Sequence, residues 1–211
     1  MQLYFSPLAC SMAARISLYE AGAKATYVEV DPKTKLTSEG EDFRAVNTLG
    51  LVPTVRTDEG DVITENAAIL QHVADRYPDA KLAPTDGLER TRLQQWLCFI
   101  GTELHKALYV PLLDPKAPEG AKAYALQKGE PRLAFLETYL TGREFLLDGF
   151  TVADAYLAVV LNWSVVTPVD LMKWPAIRAY SMRLRERPSV AKALAEETVL
   201  YLAEQARHKQ A

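Results

Sequence analysis

Leu51-Val52-Pro53-Thr54-Val55-Arg56-Thr57-Asp58-Glu59-Gly60-Asp61-Val62-Ile63-Thr64-Glu65-Asn66 is the stretch on which the fold turns. Thr54–Thr57 and Val62–Thr64 are short β-branched runs separated by a loop containing Asp58-Glu59-Gly60, the signature of two strands joined by a turn. Asn66 to Tyr77 then places Ile69, Leu70, Val73 and Tyr77 on one helical face. Upstream, Gln2 to Phe5 reads as a strand ended by Pro7. Ser11 to Glu20 reads as a helix with Met12, Ile16 and Tyr19 on one face and Gly22 as its stop. Thr26 to Val30 reads as a second strand, and residues 31–50 are polar and irregular, punctuated by Pro32, Gly40 and Gly50. The order is therefore β-α-β, a loop, then β-β-α.

Downstream, Pro78-Asp79-Ala80 and Pro84-Thr85-Asp86-Gly87 break the composition. Every long segment beyond them has helical period. Leu93, Trp96, Leu97, Ile100 and Leu104 mark one helix, Leu133, Leu136 and Leu140 another, and Tyr156, Val159, Val160 and Trp163 a third. Trp174 to Arg187 and the run from Val190 onward give two more. The expected organisation is an α/β domain over 1–80, a linker over 81–87 and an all-helical bundle over 88–211.

With 211 residues, 49% hydrophobic and 24% charged, the chain has the composition of an ordinary globular protein of two small domains. Residues 1–80 hold seven basic and twelve acidic side chains; the remainder holds seventeen and fifteen. Neither half carries the basic footprint of a nucleic-acid binder. The start lacks a basic, apolar leader, and no run approaches the roughly 18 apolar residues of a membrane span. The two cysteines, Cys10 and Cys98, form no CxxC or zinc-ligand spacing, so a reducing cytoplasm is the expected compartment and no metal is expected.

Four segments can carry chemistry. Cys10 stands at a strand-to-helix junction, where unpaired amides and the helix dipole favour an anion and lower a thiol's pKa; the competing reading is a small packed thiol. Cys98, inside a helix among apolar neighbours, reads as packing. Val52-Pro53 opens a strand. A cis bond there turns the Val52 amide and carbonyl outward toward an extended peptide, although only about 5–6% of X–Pro bonds are cis. Thr64-Glu65-Asn66 starts a helix; Asn66 suits an N-cap, and with Glu65 it can hold an α-amino acid head, carboxylate on the amides and ammonium on Glu65. In Thr102-Glu103-Leu104-His105-Lys106, at about 100° per residue, Glu103 and His105 lie about 200° apart and serve different surfaces. His72 and His208 offer no partner pattern. Thr151-Val152-Ala153-Asp154 is a capping box, a folding signal whose loss costs about 0.5–2 kcal/mol.

Taken together, these segments resemble the cytosolic glutathione transferases, specifically the bacterial beta class. The resemblance is carried by Leu3-Tyr4-Phe5-Ser6-Pro7-Leu8-Ala9-Cys10-Ser11, Val52-Pro53, Glu65-Asn66, Gly101-Thr102-Glu103-Leu104-His105-Lys106 and Thr151-Val152-Ala153-Asp154-Ala155-Tyr156, in order along the chain. It implies the glutathione transferase fold, a thioredoxin-like N-terminal domain plus an all-α C-terminal bundle. It implies glutathione as co-substrate without another cofactor, a small hydrophobic electrophile as second substrate, a homodimer, and a detoxifying role.

Carried over position by position, Cys10 and His105 are the catalytic pair, with Cys10 beside the glutathione sulfur. Val52, before a cis Pro53, pairs with the cysteinyl backbone. Glu65 and Asn66 hold the γ-glutamyl end, Lys35 meets the glycyl carboxylate, and Glu103 is offered to the neighbouring subunit. Phe5, Leu8, Tyr109, Leu112 and Trp163 are expected to line the second-substrate pocket. Three positions depart from the family pattern. Asn66 stands where Ser is frequent and is expected to keep the cap. Cys98 stands where Asn is common, which removes one polar contact. Ala13 stands where a dithiol enzyme has its second cysteine, so only monothiol chemistry remains. An isomerase, dehalogenase or lyase on this scaffold, or a non-enzymatic binder, is the rival reading.

Overall fold

The structure is a computed structural model and describes residues 1–210. It divides into two compact units, Met1–Ala83 together with the segment from Pro188 onward, and Pro84–Arg187. The first contains β1 (Gln2–Phe5), α1 (Met12–Glu20), β2 (Thr26–Glu29), β3 (Thr54–Arg56), β4 (Val62–Thr64) and α2 (Asn66–Arg76). The second contains α3 (Gly87–Phe99), α4 (Val110–Leu113), α5 (Glu119–Leu140), α6 (Val152–Asn162) and α7 (Pro175–Glu186). The last helix, α8 (Pro188–Gln210), returns to the first unit.

The first unit is built on a four-stranded mixed sheet in the order β2-β1-β3-β4. β1 runs parallel to β2, with Leu3 opposite Tyr27, and antiparallel to β3, with Leu3 opposite Val55. β3 and β4 are antiparallel, as the Asp58-Glu59-Gly60 turn demands. Successive strand residues face opposite sides. Leu3, Phe5 and Val55 accordingly pack with Ala14, Leu18, Ile69 and Val73 from α1 and α2, while Tyr4, Val28 and Val30 pack with Phe43 on the other face.

α1 departs from the one-faced helix read from its sequence. Every residue from Met12 to Leu18 is buried, Arg15 included. The cause is α8, which packs against α1 beside the sheet: Glu196 and Glu197 meet Arg15 at 3.2 and 3.0 Å. The expected boundary, with everything past residue 88 in the helical domain, is therefore corrected. A terminal amphipathic segment does not reveal which unit its apolar face will join.

In the second unit, α3 continues without a break into a π-helical segment, Ile100–Tyr109, before α4. The Val110 N–H bonds to the His105 carbonyl, the i→i+5 pattern of such a helix. Gly129 on α5 makes room for this segment, since a Cβ there would sit 2.5 Å from a Leu108 methyl. α6 is buried from Val152 to Leu161, and its start carries the capping box read from the sequence. No helix among the described residues is long and apolar enough to cross a membrane.

Candidate active site

In the first unit, the chain between β1 and α1 is a tightly bonded turn. The Ser6 hydroxyl donates to the Val30 carbonyl at 2.6 Å, and the Ser11 hydroxyl donates to the Ser6 carbonyl while accepting the Ser6 N–H. Leu8 sits at φ +58°, a left-handed conformation that costs a residue with a Cβ of order 1–3 kcal/mol and persists only where surroundings enforce it. The enforcing contact is the Leu8 N–H, which donates to Glu197 of α8 at 2.7 Å. Cys10, half-buried, follows two residues later.

Cys10 donates its S–H to the Val52 carbonyl at 3.4 Å, a bond a thiol makes and a thiolate does not. The Val52–Pro53 bond is cis. Asn47 braces the approach, its amide donating to the Leu51 carbonyl at 2.9 Å and to the Thr54 hydroxyl at 3.1 Å. Among the described residues the Val52 N–H meets no acceptor. Asn66 donates to the Cys10 carbonyl at 3.0 Å, and among the described residues its buried Oδ1 has no partner. Four of the sequence-derived residues, Cys10, Val52, Pro53 and Asn66, are thus joined by two hydrogen bonds.

The expected cap is corrected. Asn66 is the first residue of α2, not the residue before it, and its side chain reaches across to Cys10 and leaves the helix end uncapped. Glu65 occupies the cap position at φ +68° with its side chain exposed. Lys35, also left-handed at φ +63°, lays its aliphatic stem along Gly50, where a Cβ would lie 3.3 Å from it. Phe5 lines no pocket: it is 2% exposed in the sheet core, with the Arg15 guanidinium 4.1 Å above its ring. Its alternation with Tyr4 decides this, one facing the helices and the other Phe43.

In the second unit, the π-helical segment buries His105 and sends Glu103 elsewhere. Glu103 pairs with Arg132 of α5 in its own unit. His105 Nδ1 lies 2.6 Å from the Tyr156 hydroxyl of α6, and its ring is 4.9 Å from the Trp163 ring. Burial, with Lys106 adding to it, pushes the imidazole down to about 4, so it is neutral near pH 7. Tyr109 packs edge-on against Trp163 at 5.8 Å but is fully buried, its hydroxyl without a partner among the described residues, and its burial raises the phenol. Leu112 is half-buried on α4. Cys98, read as a packed thiol, is exposed on α3; Leu93, Trp96 and Leu97 take the buried face. His208, given no partner from sequence, pairs with Asp31 at 2.6 Å. Among the described residues no three His, Cys, Asp or Glu side chains gather as a metal site.

Asn47, Glu197 and Tyr156, which bond to candidate residues or the backbone beside them, were not singled out as site residues from the sequence. Only Tyr156 carried a signal, as the last residue of the quoted capping segment.

Residues 9–76 match the family description "Glutathione S-transferase, N-terminal domain", and residues 96–188 match "Glutathione S-transferase, C-terminal domain". Glutathione S-transferase GstA of Escherichia coli O157:H7 is 39% identical over 199 residues, 93% of this chain and 98% of that protein. The chain belongs to the glutathione S-transferase family. Among solved structures, a sphingomonad glutathione S-transferase complexed with glutathione aligns with TM-score 0.90 at 43% identity, covering 94% of this chain and 99% of that one. The beta-class glutathione S-transferase of Sphingomonas chungbukensis aligns with TM-score 0.89 at 44% identity over 93% and 98% of the two chains. This transferase accordingly sits in the bacterial beta class. Its mixed sheet and helical unit are the fold of these neighbours.

Proposed function

We propose that this transferase conjugates glutathione to small apolar electrophiles. The observation that carries the reading is the pair of unsatisfied polar groups flanking Cys10: the Val52 N–H without an acceptor and the buried Asn66 Oδ1 without a donor. Such groups are costly unless a ligand or water completes them. An extended tripeptide fits both. Its cysteinyl backbone pairs with Val52 as an added strand would, and its γ-glutamyl head meets Asn66, Glu65 and the first amides of α2. Lys35 answers the glycyl carboxylate. In the reaction, the glutathione sulfur forms a bond to the electrophilic carbon, the leaving group departs with its electron pair, and the thiol proton passes to solvent. His105 is proposed as the second catalytic residue, and a homodimer is the proposed assembly.

The half-buried Cys10 thiol favours one further activity. Its thiolate attacks the glutathione sulfur of a mixed disulfide between glutathione and another thiol, forming a Cys10–glutathione disulfide and releasing the other thiolate. A free glutathione thiolate then attacks that disulfide, regenerating the Cys10 thiolate and releasing glutathione disulfide. Calorimetry with glutathione tests the main reading: saturable heat is expected, weakened in Asn66→Ala. An absence of heat at millimolar glutathione would remove the proposal. Cys10→Ala separates the two activities, losing thiol transfer while keeping conjugation.

A further inference from the structure

The last turn of α8 grips the chain as it leaves β2. Glu29, the final residue of β2, and Asp31 alternate along an extended segment and share a face, while Val30 between them is buried on the other. Arg207 pairs with Glu29 at 2.5 Å, and His208 Nε2 pairs with Asp31 Oδ2 at 2.6 Å. The two pairs differ in shelter. Arg207 is 53% exposed, whereas the His208 and Asp31 side chains are 10% and 17% exposed, so water weakens the second pair less. We propose that His208 is a positioning residue for glutathione: through Asp31 it holds the turn that presents Lys35 to the glycyl carboxylate. This rests on the assignment of Lys35 to that carboxylate.

Asp31 is the hub of the turn. Its N–H donates to the Leu36 carbonyl at 2.9 Å, and its carbonyl accepts the Lys35 N–H at 3.0 Å. Its Oδ1 accepts the Lys33 and Thr34 N–H groups at 2.8 and 2.9 Å, which leaves Oδ2 for His208. Burial raises the Asp31 carboxyl, but the Thr34 N–H, His208 and the Lys33 N–H outweigh it and bring the group down to about 2. An ionised carboxylate only accepts, so His208 Nε2–H is the donor. Lys35 is closed between this hub and the Phe43 N–H, which donates to the Lys35 carbonyl at 2.9 Å. Its φ of +63° is left-handed, a conformation that a residue with a Cβ keeps only while its surroundings enforce it. Among the described residues the buried Nδ1 of His208 has no partner, so the bond to Asp31 is the one the ring makes.

Calorimetry with glutathione and with its glycyl monoethyl ester, in which that carboxylate is masked, tests the proposal. His208→Ala is expected to weaken glutathione about threefold, within the limit of about fivefold that one part-exposed ion pair supplies. Affinity for the ester is expected to stay unchanged. His208→Gln keeps an N–H donor near the Nε2 position and should restore most of the affinity. In the Lys35→Ala background, His208→Ala loses its effect. During conjugation the loss falls on KM for glutathione, with kcat unchanged. Hydrogen exchange reads the same link without ligand: the Lys33, Thr34 and Lys35 amides exchange faster in His208→Ala and not in His208→Gln. Unchanged glutathione affinity, equal weakening of glutathione and ester, or an effect that survives Lys35→Ala overturns the proposal. So does a His208→Ala protein that no longer folds, which would make the pair a docking contact of α8 alone. A wild type that binds no glutathione removes the proposed function; glutathione binding indifferent to His208 removes only this inference.

Discussion

Two buried carboxylates organise two turns of this molecule in opposite ways. Asp154, at the start of α6, is 0% exposed and accepts four hydrogen bonds: the Leu146 N–H at 2.9 Å, the Thr151 N–H and hydroxyl at 2.8 Å each, and the Tyr180 hydroxyl at 2.6 Å. Glu197 of α8, also 0% exposed, accepts the Leu8 N–H at 2.7 Å and stands 3.0 Å from Arg15 Nε. That contact is too bent to count as a hydrogen bond, so Oε1 goes without one. Burial pushes both carboxyls up; the hydrogen-bond donors oppose it at Asp154, and Arg15 and the Leu8 N–H oppose it at Glu197, where Glu196 and Glu29 add to it. The first carboxylate is saturated with donors, three of them from residues within eight positions of it. The second is held by one hydrogen bond across 189 residues and by the charge of Arg15. Saturation makes the first irreplaceable; partial pairing makes the second exchangeable.

The largest expected effect follows from breaking the saturated site. Asp154→Ala orphans four buried donors, one of them on the fully buried Tyr180, and is expected to destabilise the protein by about 4 kcal/mol. Urea unfolding measures this. A loss under about 1 kcal/mol would mean that those donors find other partners and that saturation does not matter. Glu197→Ala comes next, at about 3 kcal/mol, because it orphans the Leu8 N–H and leaves the buried Arg15 guanidinium with Glu196 as its one remaining carboxylate among the described residues. The contrast sharpens with a paired replacement. Arg15→Met with Glu197→Leu removes both charges and should return to within about 1 kcal/mol of wild type. If the double variant is as unstable as the single one, the pair is as irreplaceable as Asp154.

The same contrast explains what the sequence could disclose. Thr151 and Asp154 are three residues apart, and a capping box is a local code, so the start of α6 was readable before any coordinates. The sheet was readable because alternation along Leu3-Tyr4-Phe5 and the Asp58-Glu59-Gly60 turn are local too. Cys10, Val52 and Asn66 were each visible as motifs, although nothing local showed that Asn66 would bridge to the Cys10 carbonyl in preference to capping α2. Arg15 and Glu197 were invisible. An arginine in a short helix and a glutamate in a terminal one look like solvated charges until the chain brings them together. The His105–Tyr156 bond spans 51 residues and was hidden for the same reason.

The smallest expected effect is a slope. Glu197 is raised from 4.5 to about 7 by burial, with Arg15 and the Leu8 N–H offsetting only part of that. The folded protein therefore holds its proton where the unfolded chain has released it, and stability falls as pH rises from about 4.5 to about 7, then levels. Glu197→Gln keeps an acceptor for Leu8 but cannot ionise. Subtracting its unfolding free energy from that of wild type at pH 5 and again at pH 8 isolates the group. The difference should move against wild type by on the order of 2 kcal/mol across that interval. A difference that instead moves in favour of wild type would show Arg15 outweighing burial, which would make the Glu197 site electrostatically as well satisfied as Asp154 despite its single hydrogen bond.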